Sequence, residues 1–190
     1  MKKVILASGS PRRKELMRGL DIDFEVDTLN DFKESIDASI PPHEVPVLMS
    51  EGKSKGFHRP LEKDEVLVTA DTVVIIDGTV LGKPHGREDA VRMLHLLSGR
   101  THEVVTAVTV RDAGRSETFS DLTLVTFAGL TDDEIASYVD RYRPFDKAGA
   151  YGVQEWIGYV GITRLEGSFY NVMGFPVHRV YEVLQKFLSL

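Results

Sequence analysis

The sequence predicts a mixed α/β fold, and three observations predict it. An apolar run, Val4-Ile5-Leu6-Ala7, breaks through Ser8-Gly9-Ser10 into a helix start at Pro11. β-Branched runs flank Asp71, and the long segments 102–111 and 116–128 also read as strands. Interspersed with these, residues 87–98 and 177–188 carry apolar side chains at helical spacing.

The elements follow in order. A strand at 3–7 leads into a helix from Pro11 to about Leu20, with Leu16, Met17 and Leu20 on one face. Residues 21–42 read as irregular and acidic, because Pro41-Pro42 stops any regular element. A helix over 44–57 carries Val47, Leu48 and Lys53. Val66–Ala70 and Thr72–Ile76 are predicted as strands broken at Asp71, and Asp77-Gly78 turns the chain back through Thr79-Val80-Leu81. Ala90, Met93, Leu94 and Leu97 give the helix 87–98 its buried stripe, and Gly99 ends it. Alternation of Val104, Thr106, Val108 and Val110 predicts a half-buried antiparallel ribbon, joined at Asp112-Ala113-Gly114-Arg115 to the next strand. Thr131 with Glu134 is a capping box for a helix reaching Tyr142. Glu166 to Pro176 reads as a loop before a terminal helix, Val177–Leu188, with Val180, Val183, Leu184 and Phe187 inward.

A chain of 190 residues with 42% hydrophobic content can build one substantial core, so a single domain over 1–190 is expected, with scope for two lobes. The absence of cysteine excludes disulfide scaffolds, thiolate metal sites and cysteine nucleophiles. No apolar stretch reaches the length of a membrane span and no signal-peptide core is visible, so a cytoplasmic location without membrane partners is expected. The net charge of −6 argues against a nucleic-acid partner. Charge is uneven, however: residues 1–20 carry Lys2, Lys3, Arg12, Arg13, Lys14 and Arg18 against Glu15 alone, and residues 21–45 are strongly acidic. Such proximity suits a small phosphorylated ligand with a divalent metal, although most of the acidic run also reads as a solvated face.

Four strings can carry chemistry. Ser10 can cap the first helix and Pro11 suits its first position, leaving free N–H groups and the Arg12 and Arg13 guanidiniums to hold phosphate. An ordinary strand-to-helix turn would look the same. Asp71 interrupts a β-branched run, where a carboxylate must be paired, metal-bound or exposed in a cleft; a turn aspartate is the plainer alternative. Gly82-Lys83-Pro84 aims a cation from a strand end. In Phe145-Asp146-Lys147-Ala148-Gly149-Ala150-Tyr151-Gly152-Val153-Gln154, small residues allow close backbone approach to a ligand, and Gln154 can read a nucleobase edge. The chain has no P-loop, no G-x-S-x-G elbow and no H-E-x-x-H helix, since position 106 is Thr106.

Taken together, Ser8-x-Ser10-Pro11-Arg12-Arg13, Ala70-Asp71-Thr72-Val73-Val74, Gly82-Lys83-Pro84, Leu97-Ser98-Gly99-x-x-His102 and Asp146-Lys147-Ala148-Gly149-Ala150-Tyr151-Gly152-x-Gln154 resemble the Maf family, in the same order. Gly167-Ser168-x-x-Asn171-Val172-x-Gly174-x-Pro176 is similar to its closing signature. The resemblance implies a nucleoside triphosphate pyrophosphatase with an elongated α/β fold shared with inosine-triphosphate pyrophosphatases, a mixed sheet with flanking helices and a cleft between two lobes. It implies that Asp71 is the catalytic acid/base and that Arg12, Thr72 and Gln154 mark the branch preferring dTTP and UTP. Glu34, Lys53 and Lys83 match further polar positions, with Asp31 and Asp37 as alternatives to Glu34. The segment around Lys53 departs from the family in lacking flanking alanines. Homodimers are common in the family.

On this reading Asp71 activates water, directly or within a magnesium shell shared with Glu34. Arg12, Arg13, Lys53 and Lys83 hold the triphosphate, and Ser8, Thr72, Asp146, Lys147 and Gln154 complete the substrate-binding set. The competing class is a non-catalytic nucleotide-binding regulator of cell division. Such a protein would be free to lose Asp71 or the lysines, and this chain keeps them.

Overall fold

The computed structural model describes residues 2–35, 37 and 39–188. Val4, Ile5 and Leu6 are buried in strand β1 (Lys3–Leu6). Ser10 then caps helix α1 (Pro11–Arg18), its hydroxyl accepting the Arg13 N–H, with Pro11 opening the first turn. Gly19 caps this helix, so Leu20 lies beyond it in a turn. The acidic stretch is not wholly irregular: β2 (Phe24–Val26) pairs in parallel with β1. Three residues are too few for a periodic signal. A 3₁₀ turn at Pro42–Glu44 enters α2 (Val45–Lys55).

Strand β3 (Glu65–Ile76) runs through Asp71 without the expected break. Asp71 and Thr72 are the two half-buried positions in an otherwise buried strand, and the Asp71 carboxylate finds a cation there. A partnered side chain gives the backbone no reason to leave its ladder. Asp77 and Gly78 both take positive φ, 50° and 72°, as a type I′ turn requires, and return the chain antiparallel into β4 (Thr79–Leu81). Helix α3 (Arg87–Leu97) buries Ala90, Met93, Leu94 and Leu97, and Gly99 follows it at φ 69°.

Strands β5 (Thr101–Arg111) and β6 (Ser116–Phe127) are joined by a turn in which Asp112 Oδ1 accepts the Gly114 and Arg115 N–H groups. The half-buried alternation belongs to β6, whereas β5 is buried almost throughout. The difference comes from position, because β5 lies inside the sheet between β3 and β6. Helix α4 (Asp132–Tyr142) has the predicted capping box. Two short elements unmarked in the sequence follow, α5 (Trp156–Gly161) and β7 (Ile162–Glu166). The predicted loop before the last helix contains α6 (Phe169–Val172), and α7 (Val177–Leu188) buries the four predicted residues.

Among the described residues the strands form one seven-stranded mixed sheet in the order β2-β1-β3-β5-β6-β7, with β4 on β3. No described helix is long and apolar enough to cross a membrane. The chain divides into two compact units. The first comprises Met1–Asp71, Thr106–Asp121 and Gly174–Leu190. Its core includes Ile5, Phe57 and Leu67, packed with Ala7 and Leu61. The second comprises Thr72–Val105 and Leu122–Met173, and contains the edge-to-face cluster of His102, Phe127 and Tyr151.

The α4 cap gives a direct stability test. Thr131→Ala removes the hydroxyl that accepts the Glu134 N–H. It should cost about 1 kcal/mol and lower the melting midpoint by roughly 2–4 °C, measured by thermal denaturation.

Candidate active site

In the first unit, the turn after β1 is organised by Ser8 and Arg13. Ser8 is buried, and its Oγ accepts the Ser10 N–H at 3.3 Å and Arg13 Nη1 at 3.5 Å. Arg13 also donates from Nη1 to Ala70 O at 2.9 Å and from Nε to Gly174 O at 2.8 Å. Its rigid fork therefore ties the capping turn to the residue before Asp71 and to the approach to α7. Desolvation pulls the Arg13 pKa below its ordinary value, while the charge of Asp71 acts in the opposite direction. Arg12 leaves the same first turn and is half-buried. The capping geometry is the predicted one, but much of Arg13 is engaged in holding backbone.

Lys53 is the centre of charge in this unit. Its Nζ lies 2.7 Å from Asp71 Oδ1 and 2.9 Å from Glu34 Oε1. The lysine and aspartate side chains are 20% and 17% exposed, against 60% for Glu34, so the Lys53–Asp71 contact is the sheltered half of the arrangement. Helix α2 is fixed in place by Ser50, one turn earlier. Ser50 O accepts the Thr69 hydroxyl at 2.8 Å, and Ser50 Oγ bonds Thr109 Oγ1 at 2.8 Å, all three residues being buried. Of the three candidate acidic residues, Glu34 is the one paired with Lys53; the Asp37 carboxylate accepts the Ser39 N–H.

In the second unit, the Gly149 N–H donates to Gly82 O at 3.1 Å, which joins the segment carrying Lys83 to the predicted small-residue string. Gly149 has φ 69°, and a Cβ there would lie 2.9 Å from Val74 Cγ2, so both conformation and space demand glycine. Lys83 itself is exposed. Lys147 Nζ is held between Asp146 Oδ1 at 2.8 Å and Glu155 Oε1 at 3.1 Å. Tyr138 donates its hydroxyl to Glu155 and accepts the Gly152 N–H at 3.0 Å. Burial, reinforced by Glu155, pushes the Tyr138 phenol upward and keeps it a donor. Gln154 presents a buried Oε1 that has no hydrogen-bond partner among the described residues. Thr72 directly follows Asp71 on β3 and is half-buried.

Glu155 and Tyr138 escaped the sequence reading. The adjacency of Glu155 to Gln154 is the available signal, while Tyr138 carries no local signal within α4. His102, by contrast, stands in a recognised string. It is buried, and its Nε2 lies 2.7 Å from the Tyr151 hydroxyl, anchoring the small-residue segment to β5.

The fold agrees with what similarity shows. The family model described as Maf-like protein matches residues 3–187, and the chain belongs to that family. A protein of Porphyromonas gingivalis strain W83, named dTTP/UTP pyrophosphatase, is 53% identical over 187 residues, which cover 97% of this chain and 94% of that protein. Proteins of the same name from Phocaeicola vulgatus and Flavobacterium psychrophilum are 48% and 46% identical, covering 97% and 94% of this chain and 95% and 91% of their own lengths. Among solved structures, a HAM1 protein from Coxiella burnetii superposes with a TM-score of 0.51 at 14% identity, over 98% of this chain and all of that one. That likeness concerns the fold.

Burial holds the His102 imidazole down to about 4, from the ordinary 6.5. The unfolded chain therefore takes up this proton near pH 6.5 and the folded chain only near pH 4. Stability from neutral His102 is complete above pH 6.5 and is lost as pH falls toward 4. Denaturant midpoints measured across this window should fall less steeply in His102→Gln than in the parent. Equal slopes would contradict the assignment. The comparison is cleanest above about pH 5.5, because Glu65, held to about 2 in the fold chiefly by Arg59, has an ordinary value of 4.5 and in the unfolded chain titrates about that value.

Proposed function

We propose that this chain is a nucleoside triphosphate pyrophosphatase that hydrolyses dTTP and UTP to the monophosphate and pyrophosphate. The observation that carries this reading is the Glu34–Lys53–Asp71 arrangement, present in a chain that matches proteins named for that activity along nearly their whole length. Cleavage between the α- and β-phosphates needs an activated water, neutralised oxygens and an oriented leaving group. Asp71 takes the proton from the attacking water. Its carboxylate is held by Lys53, and the Arg13 bond to Ala70 O fixes the backbone beside it.

Lys53 and Arg12 supply positive charge to the phosphates, and Arg13 acts mainly by positioning. Lys83, Asp146 and Lys147 keep their assignment to the substrate on the family resemblance. Base preference is assigned in the same way to Arg12, Thr72 and Gln154. The buried Gln154 Oε1 supports it on physical grounds, because an acceptor left without a donor is costly. Thymine and uracil share an N3–H that can meet such an acceptor, and cytosine lacks it. Free nucleotides in the cytoplasm, rather than nucleic acid, are the substrates that suit a chain of net charge −6.

The donor set fits magnesium. Glu34 and Asp71 bring hard carboxylate oxygens to one ammonium, and magnesium is commonly held by one or two carboxylates together with substrate phosphates. When bound there, the ion would neutralise phosphate charge.

Asp71→Asn keeps the shape of the side chain and removes the base. Pyrophosphate release from dTTP should fall by on the order of 100-fold or more, with the far-UV spectrum unchanged. Turnover near the parent rate would overturn the role given to Asp71.

A further inference from the structure

Residues 30–32 cross the C-terminal end of α2 as a strap. Asn30 Nδ2 donates to Lys53 O at 2.6 Å, and the Asp31 N–H donates to Gly56 O at 2.8 Å. These carbonyls belong to the end of the helix, where partners within the helix run out. Asn30 Oδ1 accepts the Phe32 N–H at 2.8 Å, and Asn30 also bridges antiparallel to Phe57.

The Phe32 side chain then fills space on the α2 surface that another residue type would occupy. A Cβ at Gly52 would stand 2.3 Å from both Cε2 and Cζ of the ring. A Cβ at Gly56 would stand 2.7 Å from Phe32 Cβ and 2.8 Å from Asn30 Oδ1. Positions 52 and 56 are one helical turn apart on one face, so the two glycines make a single notch. Glycine inside a helix is disfavoured relative to alanine, and the seated ring accounts for Gly52 within α2.

We propose that Phe32, seated in the Gly52–Gly56 notch, is a positioning residue that sets Glu34 against Lys53. Two residues beyond the ring, Glu34 Oε1 reaches Lys53 Nζ at 2.9 Å. Lys33, Glu34 and Ser35 are all exposed, and the half-buried Phe32 is the sheltered side chain that immediately precedes them. The kinetic consequence rests on the pyrophosphatase reading; the strap itself does not.

Two variants release the strap by opposite routes. Gly52→Ala forces the ring out while favouring the helix, and Phe32→Ala removes the ring without adding an atom to α2. Each should lower kcat for dTTP by roughly ten- to a hundredfold, with KM changed much less and the far-UV spectrum retained. Each should also speed trypsin cleavage after Lys33, read by mass spectrometry, because cleavage reports local opening. The double variant should be no worse than Phe32→Ala alone, since no ring remains to displace. In a Glu34→Gln background, Gly52→Ala should cause no further loss of kcat.

Faster cleavage at Lys33 with unchanged kcat, in a protein that Asp71→Asn still inactivates, would overturn the positioning role and leave the pyrophosphatase reading intact. Additive losses in Gly52→Ala with Phe32→Ala, or in Gly52→Ala with Glu34→Gln, would also overturn it. A parent that releases no pyrophosphate would sink the functional reading and the kinetic claim with it. In that case unchanged cleavage at Lys33 in Gly52→Ala would remove the strap as well.

Discussion

One ammonium shared by two carboxylates is the constraint around which the first unit is built. Lys53 is largely withdrawn from water, and so is Asp71. A sheltered ion pair gains little over apolar packing, but breaking it is expensive because a charge is left without its partner. The surrounding structure accordingly controls the position of all three groups. Ser50, Thr69 and Thr109 hold α2 through buried hydroxyls, Arg13 grips Ala70, and the 30–32 strap brings Glu34 across. Each of these contacts lies outside the triad, yet each limits how far one of its members can move.

The second unit repeats the pattern with different parts. Lys147 also sits between two carboxylates, and its inner partner Glu155 is held by the buried Tyr138 hydroxyl. Tyr138 in turn takes the Gly152 N–H, so the small-residue segment is fastened at one end by α4 and at Tyr151 by His102 on β5. Small residues alone would leave such a segment loose. The aromatic anchors explain how glycine and alanine can stand there without loss of order.

Much of this was legible in the chain, for identifiable reasons. Ser10-Pro11, Thr131 with Glu134, and Asp77-Gly78 are local signals whose geometry is decided within a few residues, and all three take the predicted form. Asp71 reads in the sequence as a carboxylate needing a partner, but the predicted break in the strand does not occur, because the partner that lets it stay lies on α2, 18 residues earlier. Strands β2 and β7 are too short to show a period, and their pairing comes from the sheet. The departure from the family pattern around Lys53 has a physical account at Gly52, where Phe32 occupies the space of a Cβ. A fit between a ring and a notch 20 positions away leaves no pattern in a single sequence.

On the proposed function, the Lys53 ammonium, gripped by Glu34 and Asp71, takes part in turnover. Lys53→Met keeps length and apolar stem and removes the charge. Steady-state pyrophosphate release from dTTP by this variant should fall by on the order of 100-fold or more, in a protein that remains folded by circular dichroism. A folded Lys53→Met protein working within a few-fold of the parent rate would contradict the account.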